Sequence, residues 1–374
     1  MQTDEHRLLR ESLREFAANR LTPFAADWDR NATFPKQALS ELAALGVFGI
    51  AVPEKYGGAG MDATAAAIAL EEIAFGDGAI STIISVNNSP VCAILLAWAN
   101  EAQKQKYLVP LAQGQMLGAF CLTEPHVGSD ASGLRTTAVR EGDRWVLNGV
   151  KQFITSGKTA DVAIVMAVTD KAAGKRGISA FIVETKAPGY VVARLEEKMG
   201  QHASDTAQIL FENCRVPSEN LIGEEGAGYK IALAGLEGGR IGIASQALGM
   251  ARAAYEAALK YAKEREAFGK PIFEHQALQF RLADMATQLE AARQLIHHAA
   301  ALKDGGQPCL KQAAMAKLFA SEMAEKVCSD AIQIHGGYGY VADFPVERIY
   351  RDVRVCQIYE GTSDIQRILI ARHL

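Results

Sequence analysis

Two short polar segments of the sequence carry side chains suited to acid–base or anion-binding chemistry. The first, residues 359–364 (YEGTSD), places the carboxylate of Glu360 beside a glycine, where no β-carbon hinders a ligand. Ser363 and Gln366 have the spacing of a capping box, which predicts that a helix begins at Ser363. From the residues alone, Glu360 either complements a helix N-terminus or belongs to a site where that N-terminus binds an anionic group.

The second segment, residues 121–130 (CLTEPHVGSD), has the composition of a turn. A plain loop is a sufficient interpretation, although its hydroxyl groups and backbone amides could also face a ligand. It lies where a helical region gives way to short apolar runs, so we expect it to enter a β domain.

Three other patterns are weak. Residues 58–63 match G-x-G-x-x-A, but they lack the strand that precedes the glycines of a dinucleotide-binding fold, so an ordinary loop is the better interpretation. Residues 157–159 resemble the end of a phosphate-binding loop, yet Gln152 stands where its first glycine is required. His297 and His298 are adjacent, so on a helix they point about 100° apart and make a poor metal pair.

Three regions that differ in composition and apolar periodicity must position these segments. Residues 1–115 are rich in helix-forming residues, residues 116–225 contain short apolar runs separated by turns, and residues 226–374 return to helical periodicity. Several short strands, with a hairpin expected over residues 136–147, predict one compact β domain. Apolar residues at helical spacing predict two long amphipathic helices, one with Ala244, Leu248, Ala251, Tyr255 and Leu259 and one with Leu282, Met285, Leu289, Ala292 and Ile296. Long helices with short breaks between them predict a bundle. A length of 374 residues agrees with two or three domains.

Composition excludes several classes of protein. The net charge of −4 argues against a nucleic-acid partner, and the apolar content of 49% argues against disorder. Six scattered cysteines without a C-x-x-C pair indicate a reducing compartment and argue against a zinc cluster or a disulfide framework. The polar N-terminus does not resemble a signal peptide, and we expect no membrane span.

Seven segments, in the same order along the chain, together resemble the acyl-CoA dehydrogenase family of flavoproteins. They are residues 56–60, 121–130, 147–155, 238–244, 265–270, 333–340 and 359–367. The resemblance implies an α+β fold with an N-terminal helical domain, a middle β-barrel-like domain and a C-terminal four-helix bundle. It also implies FAD as cofactor and a homotetramer, a dimer of dimers with FAD between subunits.

By the same resemblance, Glu360 is the catalytic base. It removes the α-proton of an acyl-CoA thioester while the β-hydrogen leaves as a hydride to flavin N5, which gives a trans-2-enoyl-CoA. The backbone N–H of Glu360 and a ribityl hydroxyl of FAD bind the thioester oxygen, because enolate charge develops there. Some relatives carry the base on the helix of residues 238–244, but this chain has Gly239 at the matching position, which strengthens the assignment to Glu360.

The resemblance also assigns the remaining site residues. The residues implied to bind FAD are Phe120, Leu122, Thr123, Gly128, Ser129, Phe153, Ile154, Thr155, Arg265, Phe268, Gln276, Gln333, Gly336, Gly337, Thr362 and Asp364. Phe153 stands where many relatives have Trp, and Arg265, Phe268 and Gln276 match residues that reach the FAD of a neighbouring subunit. The residues implied to bind substrate are Ser129, Glu237, Arg240 and Gly361. On sequence alone, Arg240 is equally well interpreted as a surface helix charge.

Residues 85–89 and 240–249 most resemble short-chain (butyryl-CoA) and short branched-chain members. We therefore expect a straight short-chain acyl-CoA substrate, with electrons passed to an electron-transfer flavoprotein. Branched isobutyryl or 2-methylbutyryl substrates and an acyl-CoA oxidase stay open as alternatives, and Glu360 argues against a non-catalytic scaffold. Family members serve fatty acid β-oxidation and branched-chain amino acid catabolism. The expected location is the cytoplasm, or the mitochondrial matrix if a transit peptide is missing from this sequence.

Overall fold

Helices fill the first part of the chain, as its composition predicts. The computed structural model describes residues 3–374. Eight α-helices precede the first strand in this range: α1 (Asp4–Phe16), α2 (Ala25–Asn31), α3 (Lys36–Ala44), α4 (Ala63–Gly76), α5 (Gly78–Val86), α6 (Ala93–Trp98), α7 (Glu101–Gln103) and α8 (Val109–Ala112). Wider helical turns continue three of them, at Ala17–Leu21, Asn87–Cys92 and Lys104–Leu108.

The start of α4 is fixed by two carboxylates from different parts of the chain. Asp62 caps the helix by accepting the N–H of Ala65 at 2.7 Å, and Asp304 accepts the N–H of Ala63, also at 2.7 Å. The G-x-G-x-x-A pattern before α4 follows a short 3₁₀ turn, Glu54–Tyr56, and no strand directly precedes it. This pattern is therefore a loop, as the sequence predicts.

The middle of the chain forms one eight-stranded mixed sheet. Its strands are β1 (Gly118–Cys121), β2 (Thr137–Glu141), β3 (Arg144–Thr155), β4 (Val162–Val168), β5 (Ile178–Glu184), β6 (Tyr190–Leu195), β7 (Thr206–Pro217) and β8 (Leu221–Ile222). The order is β6-β7-β3-β2-β4-β5-β8, with β1 parallel to β4. The hairpin expected near residues 136–147 is present as β2 paired with β3.

Both faces of β4 are buried, and its alternate residues enter different cores. Ile164 packs with Tyr107 and Leu111 of the N-terminal helices, whereas Val165 packs with Trp145 and Phe211 of the sheet itself. Side chains of a strand alternate between its faces, so one apolar run serves two cores. Residues of β3, β4, β5 and β7 share the second core, which is the arrangement expected of a barrel-like domain.

Three long helices dominate the remainder of the chain. These are α9 (Gly228–Glu264), α10 (Gln276–Asp304) and α11 (Leu310–His335), followed by α12 (Val346–Val353) and α13 (Ser363–Ala371). A two-stranded ribbon, β9 (Glu266–Ala267) with β10 (Lys270–Pro271), separates α9 from α10. All five residues of the stripe predicted on α10 are buried: Leu282, Met285, Leu289, Ala292 and Ile296. On α9, Ala244, Leu248 and Ala251 are buried, while Tyr255 and Leu259 are half-buried.

One segment departs from the expectation about membranes. Gly78–Trp98 is long and apolar enough, by composition alone, to cross a bilayer. The protein itself buries 72% of the apolar window in this segment, and a buried core helix meets the same test. The segment includes Ile80, Ile83 and Ile84, which are inaccessible to solvent in the N-terminal core.

Candidate active site

Glu360 lies in a strained turn between α12 and α13. Its φ is +55° and that of Gly361 is +89°, so two successive residues occupy the left-handed region. The side chain of Gln366 donates to the carbonyl oxygen of Glu360 at 3.2 Å and to that of Gly361 at 2.9 Å. Lys317 Nζ also donates to the Gly361 carbonyl, at 2.7 Å. Three hydrogen bonds from two helices therefore fix the backbone that carries the carboxylate.

The helix after this turn begins as predicted, but a different residue caps it. Thr362 is the N-cap and its hydroxyl accepts the N–H of Ile365 at 3.4 Å. Ser363 is the first helical residue, and its buried Oγ has no hydrogen-bond partner among residues 3–374. The predicted capping box of Ser363 and Gln366 is wrong, because the amide of Gln366 binds the carbonyl groups of the turn instead.

The carboxylate of Glu360 lies against the backbone of α9 at Gly239. A Cβ atom on Gly239 would lie 2.7 Å from Oε2 of Glu360, so only glycine leaves room for this side chain. Oε2 is buried, and no group in the described part of the chain donates a hydrogen bond to it. Burial raises the pKa of Glu360 to about 7, against the opposing effects of Arg240 and Lys317.

This carboxylate has the properties of a general base. Its pKa lies near neutral pH, so it is partly ionised under ordinary conditions while it remains more basic than an exposed glutamate. Within the described residues, no protein oxygen accepts the backbone N–H of Glu360, which is therefore available to a ligand. A proton acceptor and a hydrogen-bond donor thus belong to the same residue.

Arg240 is buried on α9, so its interpretation as a surface helix charge is wrong. Only 6% of the residue is exposed. Burial lowers its pKa, while the neighbouring carboxylates of Glu360 and Glu237 oppose that shift. Its Nε has no hydrogen-bond partner within residues 3–374. Glu237 is half-buried on the same helix, and the thiol of Cys309 donates to its Oε1 at 3.8 Å.

A cavity of about 390 Å³ begins at Gly239, between α9 and the N-terminal helices. Leu70, Leu96 and Ile241 are among its apolar lining residues, while Ser85 and Ser89 add hydroxyl groups. The cavity is predominantly apolar, which suits a short hydrocarbon chain. Since the Glu360 carboxylate contacts the same glycine, a ligand in this cavity can present a proton to it.

The two segments expected near the flavin ring lie side by side. The N–H of Gln152 donates to the carbonyl oxygen of Thr123 at 2.8 Å. This contact joins residues 120–123, at the start of the 121–130 segment, to residues 153–155 at the end of β3. Phe153, near the end of β3, has a φ of +59° and is 63% exposed, so its ring is accessible to a ligand. Gly128 and Ser129 are exposed further along the 121–130 segment.

A buried ion pair anchors the segment of residues 121–130. Lys151 is inaccessible to solvent, and its Nζ donates to Glu124 at 2.9 Å and to the carbonyl oxygen of Leu122 at 3.0 Å. Glu124 also accepts the N–H groups of Arg135 and Thr136, at 2.8 and 3.0 Å. Burial opposes ionisation of Glu124, but Lys151 and these donors hold its pKa below the ordinary value.

A second cavity, of about 610 Å³, lies at the C-terminal end of α11. It includes three residues expected to bind FAD: Arg265, Gly336 and Gly337. A Cβ at either glycine would meet no heavy atom within 4 Å, so the backbone is open to a ligand, and the Arg265 guanidinium can pair with a phosphate. These residues fit an anionic dinucleotide such as FAD.

The other residues expected at the cofactor lie outside both cavities. Phe268 is 96% exposed on the ribbon, and Gln276 and Gln333 are also exposed. Thr362 caps α13, while Asp364 is exposed and pairs with Arg367 at 3.4 Å. The second cavity contains three of the predicted FAD residues and the first contains none of them, so the single chain does not gather all of these residues in one place.

Family comparisons agree with this architecture over the whole chain. Three family models match: acyl-CoA dehydrogenase N-terminal domain at residues 3–115, middle domain at residues 119–214 and C-terminal domain at residues 226–374. The chain belongs to the acyl-CoA dehydrogenase family. Members of this family are FAD-dependent, and the chain is a flavoprotein oxidoreductase of fatty acid β-oxidation.

Individual acyl-CoA dehydrogenases are similar over nearly the full length. The mitochondrial short-chain specific acyl-CoA dehydrogenase of Rattus norvegicus is 49% identical, over 99% of this chain and 90% of that protein. The structure of butyryl-CoA dehydrogenase from Megasphaera elsdenii has a TM-score of 0.96 and 43% identity, and covers 100% of this chain and 98% of that one. A chain in a structure of the electron transferring flavoprotein of Acidaminococcus fermentans has a TM-score of 0.98 and 48% identity, with coverage of 100% and 98%.

Sequence reasoning missed two lysines of the site. Lys317 occupies the buried face of α11 among Ala313, Ala316 and Ala320, and a charged residue in such an apolar stripe is the signal that could have identified it. Lys151 stands inside a strand, where alternation does not distinguish a buried ion pair from an exposed charge. Both residues act through partners that are distant in sequence.

Proposed function

We propose that the chain oxidises short straight-chain acyl-CoA thioesters to trans-2-enoyl-CoA, with Glu360 as the base that removes the α-proton. The observation that carries this proposal is the buried, unpartnered Oε2 of Glu360 beside an apolar cavity. A carboxylate in this environment can accept a proton near neutral pH.

The residues of the chain have distinct tasks in this reaction. The N–H of Glu360 donates to the thioester oxygen, where negative charge develops as the α-proton leaves. Glu360 takes that proton on its carboxylate, and the apolar cavity holds the acyl chain away from water. FAD, when bound, supplies the oxidant by accepting the β-hydrogen with its electron pair. Arg240 balances the charge beside the base, and we propose that it and Glu237 also contact the bound thioester.

The proposed FAD contacts form two groups. Residues 120–123 and 153–155 would lie along the ring system, and the anchored loop would bring Gly128 and Ser129 toward it. Arg265, Gly336 and Gly337 would hold the phosphates and the adenosine. We propose that these three residues, together with Phe268, Gln276 and Gln333, contact FAD across a subunit boundary in a homotetramer. Thr362 and Asp364 would add contacts to FAD at the start of α13.

The size of the first cavity supports a short acyl chain. The cavity has a volume of about 390 Å³, and Leu70, Leu96 and Ile241 are among its apolar lining residues. The rat relative is a short-chain specific acyl-CoA dehydrogenase, and the Megasphaera elsdenii protein is a butyryl-CoA dehydrogenase. One methylene changes discrimination by about 1–3 kcal/mol, so branching must be tested directly.

A rate series tests the proposed substrate. Purified holoprotein is assayed with C4, C6, C8 and isobutyryl thioesters and an artificial electron acceptor. The expected order of kcat/KM is C4 first, then C6, with C8 and isobutyryl-CoA lower. A preference for isobutyryl-CoA would reject the straight-chain assignment, and rapid oxygen consumption without the acceptor would favour an oxidase.

The electron acceptor, location and domain boundaries are further proposals. We propose an electron-transfer flavoprotein as acceptor, supported by similarity to a chain in the Acidaminococcus fermentans structure. Similarity to proteins of bacteria supports a cytoplasmic location, whereas the rat relative is mitochondrial. A boundary near residue 115 is supported by the gap between α8 and β1, and a boundary near residue 226 by the gap between β8 and α9. The proposed electron acceptor is tested by measuring whether the enzyme, supplied with butyryl-CoA, reduces a purified electron-transfer flavoprotein.

A further inference from the structure

Lys317 is a buried cation that the proposed chemistry does not yet use. It lies on α11, is inaccessible to solvent, and occupies a helix face made otherwise of small apolar residues. Its Nζ donates to the carbonyl oxygen of Gly361 at 2.7 Å. An ammonium group is costly to bury, so a lysine in this position must gain a specific interaction in return.

The groups around Lys317 belong to four elements. Glu360 lies in the turn before α13, Arg240 on α9, Cys356 in the turn after α12, and Glu322 on α11 itself. Burial lowers the pKa of Lys317 to about 8, against the opposing effects of Cys356 and Glu360. The ammonium form therefore predominates at neutral pH. Arg240 and Lys317 are the two positive charges that act to lower the pKa of Glu360.

The turn itself requires support from its surroundings. Glu360 is a non-glycine residue at positive φ, a conformation that costs free energy unless neighbouring groups stabilise it. Gln366 and Lys317 both donate to the Gly361 carbonyl, from helices on either side. Gln366 can hold the backbone but is neutral, whereas Lys317 also brings a charge. The two donors therefore differ in a way that experiment can separate.

We propose that Lys317 is a positioning residue for the base: its ammonium group fixes the Glu360–Gly361 turn and supplies a positive charge that favours the ionised carboxylate. This inference rests on the proposed function of Glu360. Lys317 does not line the acyl cavity, so its effect on the reaction is indirect and passes through Glu360. Its loss should reduce kcat while it leaves the KM for the thioester nearly unchanged.

The pH profile of Lys317→Met holoenzyme tests the inference. Without the positive charge, the ionised form of Glu360 is less favoured, so its pKa rises and the acidic limb of kcat/KM moves up by about one pH unit. At pH 7 this shift lowers the ionised fraction of Glu360, and kcat with it, about fivefold. The expected result includes normal FAD absorbance and an unchanged KM. If the acidic limb of Lys317→Met lies at the same pH as that of wild type and its kcat is also that of wild type, the proposal is overturned.

Two further variants keep the test decisive. Lys317→Gln retains a donor for the Gly361 carbonyl without the charge, so it should show the same upward shift of the acidic limb even if the methionine variant folds poorly. Lys326→Met removes an exposed lysine of the same helix that pairs with Asp330, and it should match wild type. If the wild-type enzyme oxidises none of the tested thioesters, the assignment of Glu360 as the base is rejected, whatever the Lys317 variants show. A shift in Lys326→Met equal to that in Lys317→Gln would also contradict a specific role.

Discussion

The carboxylate of Glu360 occupies the space that a side chain at Gly239 would fill. A Cβ on Gly239 would lie 2.7 Å from Oε2 and 2.8 Å from the carboxyl carbon of Glu360. Gly239 belongs to the middle of α9, where glycine costs about 1 kcal/mol relative to alanine. The helix therefore accepts a local loss of stability where the base approaches it.

Gly239→Ala should displace the base without removing it. The added methyl group forces Glu360 away from α9, so we expect kcat with butyryl-CoA to fall at least about tenfold, because a small misplacement of a catalytic group is costly. Steady-state rates and FAD absorbance measure this. Gly305→Ala is the control, since a Cβ there meets only ordinary contacts at 3.4–3.9 Å. Wild-type kcat in Gly239→Ala would show that the carboxylate is not confined as the structure indicates.

Glu360→Gln should abolish dehydrogenation while FAD stays bound. Loss of a general base typically lowers the rate by about 10²–10⁴-fold, and the amide has nearly the same shape as the carboxylate. In wild type, kcat/KM should rise as pH increases through about 7, where Glu360 ionises. Near-wild-type turnover in the amide variant would reject the base assignment.

The same variant should change the pH dependence of stability. The pKa of Glu360 is raised in the folded state, so the folded protein binds more protons than the unfolded chain between about pH 4.5 and 7. The contribution of Glu360 to the free energy of unfolding is therefore most favourable below about pH 4.5 and is lost as pH rises to about 7. Glu360→Gln should stabilise the protein by about 1–3 kcal/mol at pH 8 and by little at pH 4.5. Thermal midpoints at the two pH values measure the difference, and equal shifts at both would contradict it.

Lys151→Met should destabilise the loop at residues 121–130. It leaves the buried carboxylate of Glu124 without its cation, and breaking such a pair costs about 3–5 kcal/mol. We expect a lower thermal midpoint and a lower FAD content. The control is Lys106→Met, which removes an exposed pair with Glu184 and should cost less than about 1 kcal/mol. Recovery of FAD content in Glu124→Gln/Lys151→Met would confirm that the unpaired charge causes the loss.

Arg265→Gln should weaken FAD binding specifically. Arg265 lines the second cavity, and a charge-assisted hydrogen bond to phosphate contributes about 1.5–3 kcal/mol, so the Kd for FAD should rise about 10–100-fold. Flavin release on dilution measures this. Arg144→Gln, an exposed residue of β3, is the control. An unchanged Kd in Arg265→Gln would remove this cavity from the FAD site.

Local sequence patterns predicted most of the architecture. Apolar spacing located the buried stripe of α10 and the hairpin of β2 and β3, because periodicity follows directly from helix and strand geometry. Patterns failed where a side chain had a choice of partners. Gln366 reads as a capping residue by spacing, yet its amide binds the carbonyl groups of Glu360 and Gly361. Arg240 was equally consistent with a surface charge, and only burial decides between the two interpretations.

The sequence by itself determined the family, the order of a helical region, a β region and a helical bundle, and Glu360 as the candidate base. These depend on residue identity and local periodicity, which the chain carries without folding. The tertiary structure alone decided the pKa of Glu360, the room that Gly239 leaves for it, and its cavity. It also brought Lys317 to Gly361, 44 residues away. Burial and charge at the base come from segments that meet only when α9, α11 and the turn before α13 pack together.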